Sequence, residues 1–113
     1  MDRLRRRADF LAAAQGQRVS RSAFVLQARM RADDGPSRVG YTVTKKMGTA
    51  PERNRIRRRL REAVRLADPN AAAASRDYVL VGRRAALSCD FAALQNDLVS
   101  ALKRLAGPRR ERS

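Results

Sequence analysis

A chain of 113 residues with 26 Lys and Arg against 11 Asp and Glu carries a formal net charge of +15, which implies a polyanionic partner. A single Cys and no His exclude an internal disulfide and a zinc site of Cys and His. No apolar run is long enough to span a bilayer, and the basic N-terminus lacks the apolar stretch of a secretory signal, so a soluble chain in the reducing cytoplasm is expected, with no membrane contact.

The length suits one domain over residues 1–113, with basic flexible tails at about 1–6 and 107–113. Aromatic residues make up only 4% of the chain, which leaves Leu, Val, Ile and Ala to build the core. After the basic arm Met1 to Arg7, a short helix is expected over Ala8 to Gln15, stopped by Gly16. Ser22 to Arg31 alternates, with Phe24, Leu26, Ala28 and Met30 on one face and Val25, Gln27, Arg29 and Arg31 on the other. Asp33 to Ser37 has turn chemistry, and a second strand over Arg38 to Thr44 turns Val39, Tyr41 and Val43 inward. These two strands are expected to pair antiparallel.

Thr49-Ala-Pro-Glu52 matches a capping box, with Pro51 in the first turn, where a missing N–H costs little. The helix it opens should stop at Asp68-Pro69-Asn70, with a loop or frayed turn over Ala71 to Ser75. Asp77 to Gly82 is a short strand apolar enough to lie centrally. A last helix from about Asp90 to Leu105 places Phe91, Leu94, Leu98, Leu102 and Leu105 at helical spacing, before Gly107-Pro108. Helix, strands, helix, strand, helix around one sheet is an α+β pattern.

At about 100° per residue, Ile56, Leu60, Ala63, Val64 and Ala67 gather into an apolar stripe on the Thr49 helix. Asn54, Arg55, Arg57, Arg58, Arg61 and Arg65 then face away from the core, and Arg53 lies near the N-terminal edge of the stripe. Only Glu52 and Glu62 offset them. Like charges three and four residues apart repel, and a helix built only for solubility would intersperse acids. A phosphate-bearing partner removes that penalty and releases counterions. Lys45 and Lys46, ahead of the helix N-terminus, read equally as a phosphate site or as an ordinary exposed loop.

Arg53-Asn54-Arg55, with Ala50 before it and Ile56, Arg57, Arg58, Leu60 and Arg61 after it, resembles the signature of the protein subunit of bacterial ribonuclease P. Arg38 to Gly48, Asp77 to Val81 and Asp9-Phe10 extend the resemblance over most of the chain. It implies a two-layer α/β sandwich in the order αβββαβα, with a left-handed βαβ crossover around the basic helix and an extra strand near Gln17 to Ser20. It also implies that Lys45, Lys46, Arg53, Asn54, Arg55, Arg57, Arg58 and Arg61 contact a catalytic RNA subunit. Phe10, Val25, Gln27, Thr42 and Thr44 would line a cleft for the 5′ leader of precursor tRNA. Ala14 and Gln27 stand where relatives carry aromatics, which implies less base stacking. Phe10 itself reads either as a stacking platform or as the core anchor of its helix.

The acids are scattered, and only Asp33 and Asp34 are adjacent, so the chain has no convincing general base or metal site of its own. No catalytic residue, bound cofactor or obligate protein partner is therefore expected. In the family, magnesium ions held by the RNA carry out the hydrolysis, and the holoenzyme is an endoribonuclease leaving a 5′ phosphate on mature tRNA. Two alternatives share the charge: a small structural RNA-binding protein of ribosomal type and, more remotely, a DNA-compacting protein.

Overall fold

The computed structural model describes residues 2–32, 35–67 and 75–106. Their elements are β1 (Asp2–Arg3), α1 (Arg7–Ala14), β2 (Gln17–Ser20), β3 (Phe24–Met30), β4 (Arg38–Thr42), α2 (Ala50–Leu66), β5 (Arg76–Gly82) and α3 (Phe91–Ala106). Single 3-10 turns over Lys45–Met47 and Arg84–Leu87 flank the basic helix in sequence. The helix stop at Asp68 to Asn70, the loop over 71–74 and the tail at 107–113 lie outside the described residues, as do Asp33 and Asp34 of the turn.

The strands form one mixed sheet in the order β1-β4-β5-β3-β2. The expected direct pairing of β3 with β4 does not form. β5 lies between them, antiparallel to β3 and parallel to β4. The physical reason is burial: Tyr78, Val79 and Leu80 are successive residues with almost no exposure, and a strand apolar on both faces gains most at the centre of a sheet. β3 pairs instead with β2, the short strand that the resemblance implied, in an antiparallel hairpin. β4, α2 and β5 make a βαβ unit, because parallel neighbours need a crossover rather than a tight turn.

Strand alternation divides the sheet into two faces. Phe24, Leu26 and Ala28 of β3, Val39 of β4, Val43 just beyond it, and Tyr78 and Leu80 of β5 face one way. Ile56, Leu60 and Ala63 of α2 and Leu94, Leu98 and Leu102 of α3 pack on them. Each large aliphatic side chain so buried contributes roughly 1.5–3 kcal/mol. α1 lies on the opposite face, where Phe10 and Ala13 meet Leu4, Val79 and Val81. Gly40 allows this approach, since a Cβ there would fall 2.5 Å from the Phe10 ring.

Within the segment expected as a basic tail, Asp2 and Arg3 pair parallel with Arg38 and Val39. Leu4 is buried, and its N–H donates to the Val39 carbonyl at 2.9 Å. Burial of that one leucine beside Phe10 ties the segment down despite its charge.

Candidate nucleic-acid interface

The capping box forms as read. The Thr49 hydroxyl accepts from the Glu52 N–H at 3.3 Å, and the Glu52 carboxylate accepts from the Thr49 N–H at 2.9 Å. Docking of Ile56, Leu60 and Ala63 then sets the rotation of α2, which leaves Asn54, Arg55, Arg58 and Arg61 exposed and Arg53 and Arg57 half-buried. Arg57 is steered by hydrogen bonds to Asn54 Oδ1 (3.1 Å) and the Val43 carbonyl (3.4 Å). Arg61 lies over the Tyr41 ring, 5.7 Å from its centroid, a cation–π arrangement that restricts the guanidinium while leaving its donors free for an anion. Burial pushes the Tyr41 hydroxyl up to about 12 against the opposing pull of Arg61. Arg65 is drawn into an ion pair with Glu62 at 2.7 Å. Arg59 is taken by the fold, because its guanidinium donates to the carbonyls of Ala86 and Cys89, both at 2.7 Å.

Lys45 and Lys46 are exposed on the 3-10 turn immediately before α2. Arg84 braces this turn by donating to the Met47 carbonyl at 3.1 Å and to Glu52 at 2.9 Å. Hydrogen bonds from Arg84, then from the Thr49 backbone, hold the Glu52 carboxyl down at about 2. Gly48 has a φ of 144°, and a Cβ there would meet Glu52 Oε1 at 2.5 Å, so the join requires glycine. Since the capping box already occupies amides at the start of α2, anion attraction at this turn rests mainly on the two ammonium groups.

The outer face is ordered in rows across the sheet. Val25, Val81 and Thr42 form one, Gln27, Val79 and Gly40 the next, and Arg29, Asp77 and Arg38 the third. The structure thus brings Val25, Gln27 and Thr42, which were expected to line a cleft, onto one face, with Val25 buried and Thr44 exposed just past β4. Phe10 sits over Gly40 in the middle row and is half-buried, so it is both part of the α1 anchor and a partly open ring.

The third row was not singled out from the sequence. Asp77 is fully buried and accepts from Arg29 Nη2 (2.8 Å), Arg31 Nη1 (2.6 Å), Arg38 Nε (2.8 Å) and Arg38 Nη2 (2.8 Å). Asp9 of α1 approaches Arg29 at 3.4 Å and Arg38 at 3.5 Å. Burial works against the Asp77 carboxylate, but the hydrogen bonds from Arg38, Arg31 and Arg29 outweigh it and hold its pKa at about 2. The available signal was one acid in an apolar strand together with alternating arginines on β3; their meeting depends on β5 lying beside β3. Among the described residues, no three Asp, Glu or Cys side chains gather as a metal site, and no helix is long and apolar enough to cross a membrane.

In sequence and in fold the chain is similar to known proteins. The family model described as Ribonuclease P matches residues 1–106. A ribonuclease P protein component from Caulobacter vibrioides is 50% identical over 106 residues, which cover 93% of this chain and 71% of that protein. One from Gluconacetobacter diazotrophicus is 48% identical, covering 90% and 89%. The solved ribonuclease P protein of Thermotoga maritima superposes with a TM-score of 0.78 at 31% identity, covering 95% of this chain and all of that one. That of Staphylococcus aureus gives 0.75 at 27% identity, covering 93% and 95%. The basic helix opening on Arg53-Asn54-Arg55, the sheet that carries it and these relatives lead to one conclusion: the chain belongs to the ribonuclease P protein family.

Proposed function

We propose that the chain acts in the cytoplasm as the RNA-binding protein component of ribonuclease P, joining a catalytic RNA through α2 and holding the 5′ leader of precursor tRNA on the outer sheet face. The observation that carries this reading is the separation of two surfaces by one sheet. α2 presents Arg55, Arg58 and Arg61 on the side opposite α1, and the cleft lies beside α1. A protein so built can hold two RNA segments at once.

In this reading the protein's work is positioning. Guanidinium groups of Arg53, Arg55, Arg57, Arg58 and Arg61, with Lys45, Lys46 and the Asn54 amide, neutralise and orient phosphates of the RNA subunit. Phe10, Gln27, Thr42 and Thr44 offer a mixed apolar and polar surface to a single strand, with Val25 buried beneath it. With the strand-facing aromatics reduced to Phe10, leader contact rests on fewer stacked bases, each worth about 1–3 kcal/mol. Among the described residues, the carboxylates held in ion pairs do not suit a metal-dependent hydrolysis. Asp77 and Asp9 are engaged by arginines, and Glu52 and Glu62 by Arg84 and Arg65. Bond cleavage, with its magnesium ions, is assigned to the RNA partner.

Reconstitution tests the reading. Protein added to the cognate ribonuclease P RNA at low magnesium should restore cleavage of precursor tRNA to a 5′-phosphorylated product. Absence of rescue at every salt concentration, together with equal binding to arbitrary RNA duplexes, would favour a structural RNA-binding protein instead.

A further inference from the structure

α1 crosses the outer face from Phe10, over Gly40 of β4, to Gly16, whose backbone meets the Ala28 carbonyl of β3 too closely for a Cβ to fit. The row Val25, Val81, Thr42 lies on the sheet beside it, and Ser20 of β2 continues that row by pairing with Val25. Arg18 of β2 pairs with Gln27 and so shares the same face, two residues or about 6.5 Å from Ser20 at ~3.3 Å per residue. The Arg21 N–H donates to the Phe24 carbonyl at 2.8 Å, which makes Arg18 and Gln27 a non-hydrogen-bonded pair with Cβ atoms about 4.5–5.5 Å apart. The groove beside α1 therefore leaves the sheet at its β2 edge past Ser20 and Arg18, both exposed.

Two observations single out Arg18. Of the arginines that β2 to β5 turn to the outer face, Arg29 and Arg38 bind Asp77, whereas the Arg18 side chain makes no hydrogen bond or ion pair with any described residue. Nor is its charge needed to guard the edge, because Arg21 already covers the Ser20 carbonyl at 3.0 Å. The second observation is the placing of the aromatic rings. Phe24 and Tyr78 are in the core, Tyr41 and Phe91 lie against Arg61 and Arg59, and only Phe10 reaches the outer face. Ala14, one turn after Phe10, is exposed without offering a ring. A strand in this groove meets one stacking surface, so the rest of its hold must come from charge and hydrogen bonds.

We propose that Arg18, with the Ser20 hydroxyl beside it, binds a phosphate of the 5′ leader where the strand passes over the β2 edge, as a leader-binding residue beyond those expected to line the cleft. The inference rests on the reading of the outer face as the leader cleft. An unengaged guanidinium presents its whole fork of N–H donors to a phosphate, and the neighbouring hydroxyl donates one more. Such a contact adds no base preference, because the phosphate is the same in every nucleotide. It lengthens the stretch of leader that the protein grips, and it makes that grip depend on salt.

The test compares Arg18→Ala and Arg18→Lys with Lys103→Ala, which loses the same charge at an exposed position of α3. Circular dichroism checks the fold of each variant. Affinities of the assembled ribonucleoprotein are measured for precursors whose leaders shorten one nucleotide at a time, alongside affinity of the protein for the RNA subunit. Arg18→Ala should weaken precursor binding about fivefold once the leader is long enough to reach the edge, with no further loss for longer leaders. The salt slope should fall by about 0.7. Arg18→Lys should restore most of that slope, and RNA-subunit binding should change no more than in Lys103→Ala. A loss shared by precursors without a leader, one that grows steadily with leader length, or one no larger than in Lys103→Ala overturns the proposal. Phe10→Ala keeps this failure apart from failure of the cleft reading. If Phe10→Ala loses leader-dependent affinity while Arg18→Ala does not, the cleft stands and Arg18 lies outside it; if neither does, both fall.

Discussion

Replacing Asp77 by Asn removes one charge from the most heavily bonded side chain of the outer face while keeping its shape. Asp77 has no exposed surface, and its partners Arg29, Arg31 and Arg38 keep 33%, 8% and 29% of their side-chain exposure. An asparagine oxygen can still accept from two of the guanidinium groups, but its NH2 turns a donor toward the third. Removing one partner of a fully buried ion pair costs about 3–5 kcal/mol; solvent access to Arg29 and Arg38 lowers the expected loss to about 2–4 kcal/mol at pH 7. The measurement is urea unfolding followed by circular dichroism. The pH dependence gives an independent check of sign. The folded-state pKa is depressed to about 2 from 3.8, so the stability from the carboxylate is complete above pH ~4 and is lost as pH falls through about 2. The gap between wild type and Asp77→Asn should therefore narrow by about 1 kcal/mol from pH 7 to pH 3. A loss below about 0.5 kcal/mol, or a gap that widens on acidification, refutes the reasoning.

Arg55→Ala and Arg58→Ala should each weaken RNA-subunit binding and lower its salt slope by about one; an unchanged slope in filter-binding assays removes that residue from the phosphate contacts. Phe10→Ala should cost about 1–2 kcal/mol of stability, less than a fully buried phenylalanine because the ring is half open. It should also lower affinity for leader-bearing precursor more than assembly with the RNA subunit, and equal losses for substrates with and without a leader would leave Phe10 only a packing role. Thr49→Ala removes the hydroxyl that accepts from the Glu52 N–H, while the residue 49 N–H can still donate to Glu52, and should destabilise the protein by about 1 kcal/mol in urea unfolding. Alanine at this position with wild-type stability would mean that Arg84, through Glu52 and Met47, holds the start of α2 alone.

Much of this protein is readable without coordinates, wherever the determining interactions are local. The α2 start is encoded by Thr49, Pro51 and Glu52, which meet within one turn, and its rotation by Ile56, Leu60 and Ala63 against arginines at the intervening positions. Alternation along β3 and β4 correctly assigns Leu26 and Val39 inward and Val25 and Thr42 outward, because a strand's period needs no knowledge of its neighbours. Charge alone implies a polyanion, and Arg53-Asn54-Arg55 in its context leads to the family.

What tertiary structure decides is which strands are neighbours. The sequence order suggested that β3 would meet β4, yet β5 enters between them because its apolar residues gain most when covered on both faces. That insertion carries Asp77 into the gap between Arg29 and Arg38, residues distant in the chain, and so creates the arginine row that no local pattern announces. Leu4 likewise turns an apparently free basic arm into an edge strand, once α1 and Phe10 are there to bury it. Periodicity and capping are properties of short stretches, whereas strand order and buried ion clusters follow from competition for burial across the whole chain.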